Sequence, residues 1–203
     1  MEKITIENLK KLNLCKSEYK SKNSLLDAWN TCERGDWMLE LAQKLGCPLQ
    51  LLTLAKGRCA ETVLHLMRDD RSRKAVEVAI DFGNGIATHE ELDAAADAAH
   101  VAAKDAFDYA FAAYAAAASN AAFAAYAAAN ADVADAADAA ADAAAADYTD
   151  AYAADPAATD YAEDEAYAAA DAAKKANQLQ TANICREILG DFIKSVLTNK
   201  IEG

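Results

Sequence analysis

Basic charge, glycine and proline are nearly missing from the middle of this chain, and each absence narrows what the chain can be. Residues 93–176 hold no glycine, one proline and 3 Lys or Arg against 16 Asp or Glu. The flanks are neutral, with 14 basic and 14 acidic side chains in residues 1–92 and 3 of each in residues 177–203. The net charge of −13 therefore comes entirely from the middle segment. Nucleic acid is disfavoured as a ligand, because neutralising phosphates needs a basic patch. A basic protein is the better electrostatic match.

Catalytic and metal-binding patterns are also scarce. The only histidines, His65, His89 and His100, show no H-E-x-x-H spacing. Cys59 and His65 lie six residues apart, which puts them on different faces of a helix. Five widely spaced cysteines, Cys15, Cys32, Cys47, Cys59 and Cys185, form no C-x-x-C pair and read as free thiols in a reducing cytoplasm. The seven glycines are scattered apart from Gly83 and Gly85, so no phosphate-cradling loop exists. The expectation is a protein with no enzymatic activity and no cofactor or metal. The lysine-rich residues 1–23 lack the apolar core of a signal peptide. Residues 109–131 carry no charge and are long enough to span a bilayer. Ser119, Asn120 and Asn130 oppose that reading, as does the shortage of flanking positive charge.

What is present is helix-forming residues. Of the 84 residues 93–176, 46 are alanine and 14 aspartate. Alanine has the best intrinsic helix propensity, so this low-complexity tract argues helix rather than disorder. Upstream, residues 4–6 read as a short extended piece and residues 8–14 as a small helix. Ser24 is placed to cap a helix running to Cys32 that carries Leu25, Leu26 and Trp29 on one face. Asp36 is placed to cap a second helix ending at Gly46. Pro48 suits the first turn of a third, in which Leu52, Ala55, Cys59 and Leu66 recur at helical spacing. A fourth starts at Asp69 or Asp70, carries Ala75, Val76, Ala79 and Ile80, and stops at Gly83–Gly85. Thr88 and Glu91 have capping-box spacing.

A single helix over residues 88–154 would be about 100 Å long, whereas a compact chain of this size has a radius of gyration of only ~17 Å. The tract is therefore expected to fold back. Phe111 pairs with Tyr126 and Tyr114 with Phe123 under a mirror between Ala118 and Ser119, which places one turn at Ser119–Asn120. A weaker mirror relating Tyr152 to Tyr161 and Tyr148 to Tyr167 places another at Asp155–Pro156. The sequence thus predicts an all-α protein in which a short-helix module, residues 1–87, packs on a bundle of long alanine-rich antiparallel helices, residues 88–203. The long helices are expected at about 88–118, 120–154 and 157–197, the whole forming one cooperative unit. Arg71 and Arg73 are candidates for docking the two parts.

Asp132, Asp135, Asp138 and Asp142 fall within one ~120° arc of a helix. Without a tight calcium-binding loop, they read as a solvated or partner-facing acidic stripe, and they are the candidate partner-binding residues together with Trp37. Trp37 also shares a stripe with Leu41 and Leu45, which gives it a core role. Glutamate would form helix better than aspartate, so the excess of aspartate reads either as drift of a simple repeat or as a stiff array of negative charge.

The runs Ala28-Trp29-Asn30-Thr31-Cys32-Glu33-Arg34-Gly35-Asp36-Trp37-Met38-Leu39 and Asp69-Asp70-Arg71-Ser72-Arg73-Lys74-Ala75-Val76-Glu77, followed by the alanine tract, resemble the alanine-rich immunity protein family of bacterial polymorphic toxin systems. The resemblance extends over about residues 25–189. It implies an all-α cytoplasmic protein that binds and neutralises a cognate toxin, with relatives in phages and mobile elements, and it transfers no specific binding residue. Two other readings stand beside it. One is a phage inhibitor of a host defence protein acting by charge mimicry. The other is a structural or ice-binding helical protein, which the lack of regularly spaced threonines argues against.

Overall fold

The computed structural model describes residues 24–113, 116–130, 135–153 and 160–198. These described residues are 86% helical, and among them are eight α-helices and no strand. The extended piece expected at residues 4–6 and the helix at 8–14 lie outside the described residues.

Local sequence sets the first four helices. Helix α1 (Leu25–Thr31) begins at Ser24, whose hydroxyl accepts the Asp27 N–H at 3.0 Å. Helix α2 (Gly35–Lys44) ends in a Schellman turn around Gly46 at φ 78°, with Cys47 N–H reaching the Ala42 carbonyl. Pro48 immediately precedes α3 (Leu49–Glu61), one position earlier than expected. A 3-10 turn, Leu64–Leu66, leads to α4 (Asp70–Gly83), capped by the Asp69 side chain. A second Schellman turn at Gly85, φ 74°, ends α4. The capping box forms as read: Thr88 Oγ1 accepts the Glu91 N–H at 3.2 Å, and the Glu91 carboxylate accepts the Thr88 N–H at 2.8 Å. Asp36 departs from expectation, because its carboxylate takes two hydrogen bonds from Arg34 and caps nothing.

The alanine tract and the chain after it form α5 (His89–Ala113), α6 (Ala116–Ala129), α7 (Ala136–Ala153) and α8 (Asp160–Thr198). Consecutive helices pack most extensively on each other, α5 on α6, α6 on α7 and α7 on α8. Cross-contacts show each pair to be antiparallel: His100 on Tyr126, Asp150 on the Ala117 N–H, and Lys174 on Asp142. Helices α3 and α4 lie across this layer, α3 touching α6, α7 and α8, and α4 touching α5 and α6, while α1 and α2 pack on α8.

The hairpin expected at Ser119–Asn120 is not formed. Helix α6 runs continuously through both residues; α5 ends at Ala113 and α6 begins at Ala116. A second break, which the aromatic pattern did not reveal, separates Ala129 from Ala136. The reason is that α6 is capped from outside. Asp150 of α7 accepts the Ala117 N–H at 2.8 Å at its start, and the buried Lys56 ammonium of α3 donates to the Asn130 carbonyl at its end. An acid at the N-terminus and a cation at the C-terminus also suit the helix dipole. The turn expected at Asp155–Pro156 lies outside the described residues, although α7 does end at Ala153 and α8 begins at Asp160.

Two cores hold the layers together. One gathers Met67, Val76, Phe82 and Leu92 with alanines of α5, α6 and α7. The other gathers Trp29, Met38, Leu39, Leu41 and Leu52 with Leu189 and Ile193 of α8. Both draw on short helices and alanine helices alike. Arg71 links them at the surface through Asp69 and through Asp105 of α5, the latter at 2.7 Å. Arg73 instead reaches the Met67 carbonyl.

Candidate functional site

Three of the partner-binding residues named from the sequence, Asp138, Asp142 and Trp37, fall along one seam where α2 and α8 meet α7. Asp135 is exposed in the turn before α7, and Asp132 lies outside the described residues. Asp138 and Asp142 sit one turn apart on α7, each about half exposed. Arg34 ties the seam together. Its guanidinium pairs in a fork with Asp36 at 2.8 and 2.7 Å, reaches Asp138 at 3.4 Å and lies 4.8 Å over the Trp37 ring. Lys174 of α8 pairs with Asp142. Trp37 is partly buried against the α1–α3 and α8 core, so the core role read from its stripe is present.

Electrostatics within the seam are crowded. Burial, then repulsion from Asp36 and Asp142, raises the Asp138 pKa above its ordinary value despite the attraction of Arg34 and Lys174. The aspartates are thus partly used in joining helices: Asp138 to Arg34 just before α2, Asp142 to α8, Asp105 to α4 and Asp150 to the start of α6. Their short side chains suit close helix packing, which provides a structural reason for aspartate over glutamate at these four positions.

Other acids remain exposed. Asp93 and Asp97 line α5, Asp147 lies on α7, and Asp164, Glu165 and Asp171 lie on α8 around Tyr167, which is 59% exposed. The weaker mirror had placed Tyr167 beside Tyr148. Sequence reading did not single out the α8 acids, although the spacing Asp164, Tyr167, Asp171 marks one helical face.

The thiols and histidines lack a catalytic arrangement among the described residues. Cys59 is fully buried while His65 is exposed. Hydrogen bonding to Cys59, then burial, pushes the Cys185 thiol well above its ordinary pKa, and burial pushes Cys47 up to about 11. Such thiols stay protonated and are poor nucleophiles. His89 stacks edgewise on Phe82 and contacts Asp93 at 3.2 Å. No group of three or more His, Cys, Asp or Glu side chains among the described residues is placed to hold a metal ion. No described helix is long and apolar enough to cross a membrane. No family model, curated protein or solved structure matches the chain significantly.

Proposed function

We propose that this chain is a non-enzymatic inhibitor, of the immunity-protein kind, that binds and neutralises a basic protein through the acidic surface of its alanine-rich helices. The observation that carries the reading is the segregation of charge: residues 93–176 hold the whole net charge of −13, and acids of α5, α7 and α8 remain exposed on the folded chain. Asp138, Asp142 and Trp37 lie on the α2–α7 seam as one part of that surface, and Asp132 and Asp135 belong to the same stripe in the sequence. A stiff helical array of carboxylates steers a basic partner at long range. The resemblance to immunity proteins points the same way.

The test is to capture the partner from the native host and measure association kinetics at several salt concentrations. The captured protein should be basic, and its on-rate should fall as salt rises, because the Debye length shrinks to ~8 Å at physiological ionic strength. Changing Asp132, Asp135, Asp138 and Asp142 to Asn should slow association and flatten the salt dependence. A companion variant, Asp147→Asn, Asp164→Asn, Glu165→Gln and Asp171→Asn, tests the exposed acids of α7 and α8 named above. A captured partner whose on-rate ignores both salt and all eight substitutions would refute the reading.

A further inference from the structure

Helix α6 reverses the usual arrangement of an amphipathic helix. It packs against α5, α7, α3 and α4, and its described alanines are buried on every one of those sides. Its two large side chains, Phe123 and Tyr126, lie instead along the stripe left open, Phe123 exposed and Tyr126 half-buried at the edge of the core, with Asn130 a turn beyond. Phe123 is 41% exposed. Alanine on all packed sides leaves no room for a ring within the layer, which accounts for where the rings go. It does not account for why rings occupy the open stripe, where alanine would cost less exposed apolar surface.

The rings form an ordered platform. Tyr126 lies 4.9 Å from the His100 ring of α5 and 5.9 Å from Phe123, and Asn130 Nδ2 donates to its hydroxyl at 2.9 Å. Holding aromatic side chains this way lowers the entropy lost when a partner docks. The charges around the platform select the partner. His100, Asp97 and Lys104 share one face of α5, with Asp93 a further turn back, and Asp93, Asp97 and Lys104 are all exposed. Asp135 is exposed at the start of α7, the helix on the other side of α6. Three exposed carboxylates, Asp93, Asp97 and Asp135, against the one ammonium of Lys104 leave the surroundings of the rings net acidic, which disfavours anionic lipid, nucleic acid and a second copy of this chain and favours a cation. Arginine satisfies both elements, since its guanidinium stacks on aromatic faces and pairs with carboxylates.

We propose that Phe123 and Tyr126, with His100 beside them, form the spot on which an arginine side chain of the basic partner stacks while Asp97 pairs with its charge. This rests on the basic-partner reading above and adds to it the place and the residue type of the anchoring contact.

The experiment titrates the full chain with three peptides, alternating arginine–glycine, lysine–glycine and glutamate–glycine, while the aromatic and backbone resonances are followed by NMR at low salt. The arginine peptide should shift the Phe123, Tyr126 and His100 rings saturably and bind more tightly than the lysine peptide, and the glutamate peptide should have no effect. Phe123→Leu keeps apolar surface and helix propensity but removes the ring. It should weaken the arginine peptide about two- to fivefold, the range of an exposed cation–π contact. If the arginine peptide binds but shifts only α7 and α8, or binds Phe123→Leu unchanged, the platform is refuted while the basic-partner reading survives. If no cationic peptide binds at low salt, both fail. Ring shifts that depend on protein concentration without peptide would make a second copy the occupant and overturn the proposal.

Discussion

Replacing Gly35 by alanine adds one methyl group where α2 begins against α8. A Cβ built there lies 2.4 Å from Thr181 Oγ1, 2.7 Å from its Cβ and 2.8 Å from its carbonyl carbon. Carbon atoms in comfortable contact are about 3.5–4.0 Å apart, so α2 and α8 must separate by roughly 1 Å. Trimming Thr181 would not relieve the contact with its backbone. Overpacking of this kind costs about 1–3 kcal/mol, and the added helix propensity of alanine, at most about 1 kcal/mol, offsets only part of it. The separation would also strain the contact from the Cys185 thiol to the Gly35 carbonyl at 3.6 Å. We expect Gly35→Ala to lose about 2 kcal/mol, which for a chain of this size lowers Tm by roughly 4–8 °C. Gly190→Ala is the matched control. It makes the same chemical change inside α8, at a place where the new Cβ meets no atom of the described residues within 4 Å, and should gain about 0.5–1 kcal/mol. Urea titration followed by circular dichroism measures both. If Gly35→Ala is as stable as the parent chain, or if the two variants shift in the same direction, the close approach of α2 and α8 is wrong.

Three further outcomes follow from the same contacts. Lys56→Met leaves the Asn130 carbonyl without its ammonium donor and should cost about 1–3 kcal/mol; hydrogen exchange should show the loss concentrated in the last turn of α6, and uniform protection there would argue against a capping role. Asp150→Ala removes the acceptor for the Ala117 N–H, with an expected cost of about 1 kcal/mol and faster exchange of that amide, so an unchanged Ala117 rate would discard the cap. Hydrogen bonding from Arg71 holds the Asp69 carboxyl below its ordinary pKa. A depressed folded-state pKa means the stabilisation is present above the unfolded value, ~3.9, and is lost as pH falls through the folded one. Asp69→Asn should therefore flatten the acid limb of stability against pH below about 4, and a profile parallel to the parent chain's would count against this assignment.

Local chemistry made much of the fold legible. Ser24, Asp69 and the Thr88–Glu91 pair cap helices where their spacing says they should, because a cap needs only residues within one turn. Gly46 and Gly85 end α2 and α4 for the same reason. Alanine propensity secured the helical state of residues 93–176 in outline. The acidic stripe and Trp37 could be named from spacing, yet Arg34, the cation just before α2 that joins Asp138 to Trp37, could not, since its approach to Asp138 spans 104 residues.

The positions of the breaks in the alanine tract were decided only by tertiary structure. Ser119 and Asn120 are good capping residues, but in a run of alanine a helix can continue through either at little cost. What ends α6 is a carboxylate from α7 and an ammonium from α3, separated from its ends by 33 and 74 residues. The outward aromatics were misread for a related reason. The mirror pattern assumed that rings seek each other across a hairpin, whereas α6 presents alanine on each of its packed sides and carries its rings on the stripe that faces solvent. The amino-acid sequence by itself determined that this chain is helical, acidic in its middle and closed by local caps at its short helices, because those properties depend on neighbours within a turn. Which alanine faces meet, and so where the tract turns, depended on charges delivered from distant helices, because alanine carries too little side chain to specify a partner.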